Sequence, residues 1–312
     1  LVADETGVVR GRGRGGSGDI YSAPDAEGEV ERAVRAALAD AGLEPSQVRH
    51  AAFRLAGVDW DEDEEHWRTV LTHRLPDLIS VSIKNDGFSL LRCGSPDGVG
   101  VAINAGTGPA IAARGSDGSE VCLCWWISHG LGGQSLGRSA FRSVVDAELG
   151  AGRPTLLTAE LLTLYGYDDV ESMLHAFTRR HPVRPVPDSR VAARSVLRAA
   201  GEGDAVAWGI VAGQAVTFAR LAGVAARRTG LSGRVTRCVL GGSILTSEHP
   251  AYREALVEAL AAELGSIEVV ASAVTPVAGA LLDALAEGGA GLDRRTQDEV
   301  LRADHPTEFL LT

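Results

Sequence analysis

The chain has 312 residues, 45% of them hydrophobic and 23% charged, enough for two domains of ordinary size that each bury a core. The formal net charge is −11 and the pI near 5.2. Acidic residues are spread along segments such as Asp61 to Glu65 and no basic stripe appears, which argues against a nucleic-acid partner.

In chain order, Leu1 to Val9 reads as the middle of a hairpin whose opening strand is missing from the sequence. Asp25 to Ala41 has helical periodicity with Gly42 as its cap, Val48 to Leu55 reads as a strand, and Asp61 to Leu75 as a second helix. Leu78 to Ile83 reads as a buried strand and Phe88 to Leu91 as a helix start. Val99 to Ile103 and Pro109 to Ala113 form the arms of a further hairpin, and Ser119 to Trp126 continues the sheet pattern. Helices are predicted over Gly132 to Leu149, Thr158 to Tyr165, Val170 to Arg180, Arg190 to Ala200 and Asp204 to Thr229, with a proline-rich loop at Pro182 to Pro187. The last of these helices is apolar enough for a core helix. Strand Val235 to Leu240, helix Ala251 to Leu264, strand Ile267 to Val274 and helix Pro276 to Glu287 complete the pattern. The order describes mixed sheets with covering helices, divided into an N-terminal domain over 1–112 and a C-terminal domain over 113–312.

The cysteines Cys93, Cys122, Cys124 and Cys238 are dispersed, and Cys122-x-Cys124 points two thiols to one face of a strand. Reduced core thiols are the expectation. The eight histidines nowhere adopt a His-x-x-x-His spacing, so no protein-held metal is expected. Trp125 and Trp126 read as interdomain core. No apolar run of bilayer length and no leader pattern are seen, so the expectation is a cytoplasmic protein away from membranes.

Chemistry concentrates in three segments. Lys84-Asn85-Asp86-Gly87 puts a carboxylate at a strand-to-helix corner, a position suited to a base. Asn104-Ala105-Gly106-Thr107-Gly108 ends a strand in a glycine-flanked threonine, whose backbone N–H groups and hydroxyl suit a phosphate. Gly241-Gly242-Ser243 makes a glycine turn between a strand and a helix. Taken alone, the Asn-Asp-Gly triplet is more often a plain turn and Gly-Thr-Gly a hairpin turn. Lys84 is the sole lysine, so there is no Walker A loop and a nucleotide must be held another way.

Taken together and in order, Asn85-Asp86, Gly106-Thr107-Gly108, Leu240-Gly241-Gly242 and Pro276-Val277-Ala278-Gly279-Ala280-Leu281 resemble the BadF/BadG/BcrA/BcrD ATPase family, and within it the N-acetylglucosamine kinases. The resemblance spans Leu1 to Gly289. It implies an α/β fold of the hexokinase/actin superfamily, with two ribonuclease-H-like (actin-like ATPase) domains around a nucleotide cleft. It implies ATP and Mg²⁺ as cofactors, Asp86 as the base on a sugar hydroxyl, and Gly106, Thr107 and Gly108 on the ATP phosphates. Gly241, Gly242 and Ser243 would stand near the adenosine, Ala200 and Gly201 near the adenine, and a homodimer is expected.

Three departures from the family pattern bear on substrate. The family's opening Asp-Gly-Gly-Gly-Thr-Lys-Thr-like turn has no counterpart in the sequence. Its Gly-Asp-Glu-Gly-Ser segment aligns with Ser128-His129-Gly130-Leu131-Gly132, so His129 stands where the sugar-binding aspartate would be. Asp19 stands where family members place an asparagine. Asp19, Asn85 and His129 are therefore the expected substrate contacts, with His129 read alternatively as a loop histidine bonded to backbone. The expected activity is an ATP-dependent kinase for a hydroxyl of a sugar, amino sugar or polyol. The alternatives are a catalytically impaired sensor of the same fold and, last, an activator ATPase carrying an iron–sulfur cluster, for which the cysteines are badly placed.

Overall fold

The computed structural model describes residues 1–106, 108–127, 130–181, 188–272, 274–306 and Phe309. These fall into two compact units that share the chain discontinuously. Unit 1 comprises Leu1–Ala102, Ala112–Cys122 and Ser272–Thr312; unit 2 comprises Ile103–Ile111 and Leu123–Ala271. Whereas the sequence suggested one cut after residue 112, the contacts return the C-terminal segment to unit 1.

Unit 1 opens with the short antiparallel pair β1 (Val2–Ala3) and β2 (Val9–Gly11). Helix α1 (Ala26–Ala41) follows, its first turn capped by the Asp25 carboxylate on Gly28 N–H and its end closed by Gly42 in the left-handed region, as predicted. Strands β3 (Ala51–Leu55) and β4 (Val81–Asn85) pair in parallel, with Leu55 opposite Asn85, and α2 (Asp61–Arg74) connects them. A core of Phe53, Trp67, Leu71 and Ile83 forms between this pair, α1 and α2. The predicted strand at Leu78 starts instead at Val81, because a turn from Leu75 to Leu78 uses those residues and leaves Ile79 exposed.

Helices α3 (Gly87–Gly94) and α10 (Pro276–Glu287) cross at Gly279, where a Cβ would stand far inside van der Waals contact with the Ser89 carbonyl oxygen. Helix α10 also carries the fully buried Asp283, which accepts from Arg54 Nε at 2.9 Å, Arg92 Nε at 2.9 Å and Arg114 Nη1 at 3.2 Å. Burial alone would raise the pKa of Asp283; Arg54 and Arg114, with the Arg92 hydrogen bond, overcome this and hold it below the ordinary carboxylate value. Glu120 extends the cluster by accepting from Arg114 at 2.6 Å and from Lys84. Two elements of the network, β6 (Pro109–Arg114) and β7 (Glu120–Cys122), pair antiparallel. Helix α11 (Arg294–Leu301), not anticipated from the sequence, seats Val300 against α10.

Strand β5 (Gly100–Ala105) joins a five-stranded sheet of order β7-β6-β5-β8-β9, in which β8 (Thr236–Gly241) and β9 (Ile267–Ala271) pair in parallel within unit 2. The helices of unit 2 are α4 (Gly133–Glu148), α5 (Leu157–Tyr165), α6 (Val170–Thr178), α7 (Ala193–Gly201), α8 (Ala205–Arg228) and α9 (Ala251–Leu264). Contrary to the sequence reading, one segment, α8, is long and apolar enough to cross a bilayer; half of its most apolar stretch is buried in the unit, as suits a core helix. Its Phe218 meets Tyr252 of α9 edge-on in the core.

Two further expectations are corrected. The strand predicted through Trp126 stops at Cys122, and Cys124 to Trp126 form a 3-10 turn, so Cys122 and Cys124 do not share a strand face. Trp125 and Trp126 are each 58% exposed rather than core, with Arg228 stacked over the Trp126 ring. The loop at 182–187 and the last turn of the strand predicted to Val274, at Ala273, lie outside the described residues.

Candidate active site

In unit 1 the parallel register brings the C-terminal ends of β3 and β4 to the same edge, and the residues that follow them converge. Asp86 occupies the corner between β4 and α3, its N–H bonded to the Leu55 carbonyl at 3.1 Å and its residue exposed at the surface while surrounding protein desolvates the carboxyl. Asn85 is 4% exposed and its amide is engaged within the unit: Oδ1 accepts from Gly87 N–H at 2.8 Å and Nδ2 donates to Asp59 Oδ1 at 2.9 Å. Asn85 thus fixes the corner and orients Asp59, where the sequence suggested direct contact with substrate.

Asp59 is the residue the sequence reading missed. It sits in the loop after β3, and its neighbour Gly57 lies so close to Asp19 that an added Cβ would come within 2.6 Å of Asp19 Oδ1. Asp19 itself closes a turn, accepting from Tyr21 N–H at 2.9 Å and the Ser22 hydroxyl at 2.6 Å. Desolvation, reinforced by the Asp59 charge and more weakly by Asp19, raises the pKa of Asp86 above its ordinary value. The signal for Asp59 was a second strand of the same kind ending beside β4, visible only once the two were known to be parallel neighbours.

In unit 2 the glycine segment expected at the phosphates and the one expected near the adenosine come together. Gly106 N–H bonds the Gly108 carbonyl at 3.2 Å, and the Gly106 carbonyl accepts from Gly133 N–H at the start of α4 at 2.8 Å. Among the described residues, chain neighbours apart, no atom lies within 4 Å of a Cβ added at Gly106 or Gly108. The start of α4 has no side-chain cap, but the Gly133 N–H is spent on the Gly106 carbonyl and the Gly132 N–H on Gln214 Oε1 at 3.1 Å. The turn after β8 docks here too: Ala105 O accepts from Ile244 N–H at 3.0 Å. Gly242, at φ 87°, lies so close that an added Cβ would come within 2.5 Å of the same oxygen. Gly242 is thus fixed by this close approach, Gly241 is buried at the end of β8, and Ser243 is exposed beside them. Gly201 ends α7 with open space around it, while Ala200 is 6% exposed. Thr107 and His129 lie outside the described residues.

No family model matches the chain, and no curated protein matches it. Solved structures do. A candidate N-acetylglucosamine kinase from Chromobacterium violaceum superposes with a TM-score of 0.61 at 21% identity, over 88% of this chain and 90% of its own. A candidate N-acetylglucosamine kinase from Porphyromonas gingivalis gives 0.59 at 19% identity, over 90% of this chain and 92% of its own. The likeness shows the fold: an α/β, ribonuclease-H-like architecture of the actin-like ATPase kind.

Proposed function

We propose that the protein is an ATP-dependent kinase that phosphorylates a hydroxyl of a sugar, amino sugar or related polyol, within the BadF/BadG/BcrA/BcrD family that its motifs resemble. The observation that carries the reading is Asp86: an exposed residue whose carboxyl has a raised pKa, braced by a buried asparagine and accompanied by Asp59 and Asp19. A base for an alcohol needs access to the acceptor and an affinity for the proton it takes, and the exposure and raised pKa of Asp86 support that reading. Asp59 and Asp19 supply acceptors for the hydroxyls of the sugar; Asn85 positions Asp59, and the turn at Tyr21 and Ser22 positions Asp19.

The nucleotide phosphates would rest on Gly106, Thr107 and Gly108, with Gly241, Gly242 and Ser243 near the adenosine. The open space over the two glycines leaves room for oxyanions against the backbone. Mg²⁺ would accompany the nucleotide, held chiefly by phosphate oxygens, and it neutralises phosphate charge when bound; the oxygen donors of Asp86 and Asp59 suit such a hard cation. The chain's own residues hold the acceptor, receive its proton at Asp86, and fix the phosphates with backbone donors. Positioning and charge stabilisation supply most of the rate in this reaction class.

The test is ADP release with N-acetylglucosamine, glucosamine and glucose as acceptors. At least one should support turnover, and Asp86→Asn should lower kcat by about 10²-fold or more while ATP affinity stays within a few-fold. Undiminished turnover in that variant would remove Asp86 as the base.

A further inference from the structure

Alternate residues of a strand point to one face, and in unit 1 the even-numbered side chains of β3 and β4 meet Asp283 and Glu287, which stand one turn apart on α10. The parallel register sets Ala51 beside Val81, so His50 and Ser80, which lead into the two strands, are neighbours at the end of the pair opposite Asp86.

His50 bridges two groups there. Its Nδ1 lies 2.8 Å from Ser80 Oγ and its Nε2 lies 3.1 Å from Glu287 Oε2. Ser80 is exposed, whereas the His50 side chain is 9% exposed. The partners decide where the protons are. A carboxylate only accepts, so Nε2 carries the ring proton, Nδ1 presents its lone pair to Ser80, and the Ser80 hydroxyl donates to it.

Ser82, two residues on, has the other role. Its hydroxyl donates to Glu287 Oε2 and its oxygen accepts from Arg54 Nη1 at 3.1 Å. Arg54 Nη2 holds Glu287 Oε1 at 2.7 Å. Arg54, Ser82 and Glu287 suffice to tie the strands to α10; Ser80 adds nothing to that tie and sits at the surface with its proton on a base. A hydroxyl on an imidazole, the imidazole oriented by a carboxylate and the carboxylate fixed by a buried arginine is the arrangement that activates a serine nucleophile. Among the described residues nothing in the protein accepts from the Ser80 N–H, which leaves that donor for the oxygen of an attacked carbonyl.

The surroundings select the substrate. Arg54, the cation of the network, has a fully buried side chain committed to Asp283 and Glu287, so it cannot neutralise an anionic substrate. Ile79, next to the nucleophile, is 80% exposed and apolar. We propose that Ser80, His50 and Glu287 form a second catalytic site, which hydrolyses neutral carboxylic esters. Ser80 Oγ bonds to the acyl carbon while His50 Nδ1 takes its proton; the bond from that carbon to the alkoxy oxygen breaks, and His50 gives the proton to the departing alcohol. Water then adds to the acyl carbon and gives a proton to His50. The bond to Ser80 breaks, the acid leaves and the proton returns to Ser80 Oγ. The site shares no residue with the cluster around Asp86 or with the glycine turns, and it stands whether or not the protein is a kinase.

The full chain should be labelled by a fluorophosphonate on Ser80, located by peptide mass, and should hydrolyse p-nitrophenyl acetate. Ser80→Ala deletes one exposed hydroxyl, so the variant folds; it should abolish the label and lower ester turnover by about 10²-fold or more. His50→Gln should slow labelling of Ser80 by a similar factor, with the nucleophile still present. Ser80→Ala should leave ADP release with a sugar acceptor unchanged, so loss of one activity is distinguished from loss of the other. The proposal is overturned if Ser80 takes no label, if His50→Gln is labelled as fast as the parent protein, or if ester turnover survives Ser80→Ala.

Discussion

To act as a base Asp86 must be ionised, yet desolvation and then the Asp59 and Asp19 charges favour the protonated form in the folded chain. A carboxyl whose folded pKa is raised contributes stability below its unfolded value, and that contribution is lost as pH rises through the folded pKa. Asp86→Asn removes the charge at nearly constant shape. Its Tm should therefore exceed that of the parent protein at pH 7, and the advantage should vanish below the ordinary value of 3.8. Melting curves from pH 3 to 8 on both proteins test this; a lower Tm for the variant at pH 7 would show that the ionised carboxylate is satisfied rather than repelled. The corner that holds Asp86 was legible from the strand pattern and the Asn-Asp-Gly triplet. Asp59 was not, because its proximity comes from the parallel pairing of two strands far apart in sequence, which local pattern does not encode.

Among the elements, helices with caps were read closely: Asp25 and Gly42 bound α1 where expected. α11 escaped because it is largely polar and is held by the Asp293 cap and by Val300 on α10. The crossing of α3 and α10 sets two effects against each other at Gly279. Alanine would favour the helix by about 1 kcal/mol. Its Cβ would collide with the Ser89 carbonyl, and overpacking of this kind costs about 1–3 kcal/mol, more where backbone must move. Gly279→Ala should therefore lower stability, and a rise in the urea midpoint would show that the helices part freely. Asp283 binds the same helix to β3, α3 and β6 through three arginines. Asp283→Asn takes from Arg54 and Arg114 one of their two carboxylate partners, leaving Glu287 and Glu120, and takes from Arg92 its carboxylate; with Asp283 and Arg54 fully buried the loss should cost about 3 kcal/mol in denaturant unfolding, the lower end for a broken buried pair. The pKa of Asp283 is lowered, so its contribution is present above the unfolded value and lost as pH falls through the folded one. The parent protein should accordingly lose the arginine clamp only below the ordinary carboxylate range, and acid titration of unfolding reads that limit.

At the scale of the whole molecule, the layering of sheets and helices was visible in the sequence, but the partition of the chain was not. Periodicity shows that Pro276 to Glu287 is a helix; it carries no sign that Asp283 will meet Arg54, Arg92 and Arg114, because the choice is made by charge pairing across long separations. That partition has a consequence for synthesis. Unit 2 ends at Ala271, whereas unit 1 awaits the segment from Ser272. At about 5–20 residues per second, Arg114 precedes Asp283 from the ribosome by roughly 10 to 30 s. During that interval the arginines have no buried carboxylate to neutralise, and the N-terminal strands lack the helix that covers them. Nascent chains stalled with Ala271 just emerged should resist protease across 123–271 while being cut within 1–102; the reverse pattern would mean that the first-made half closes without its last helix. Translation from one end thus makes the second unit the first to finish, and a ribosome pausing before Ser272 would hold the protein half folded.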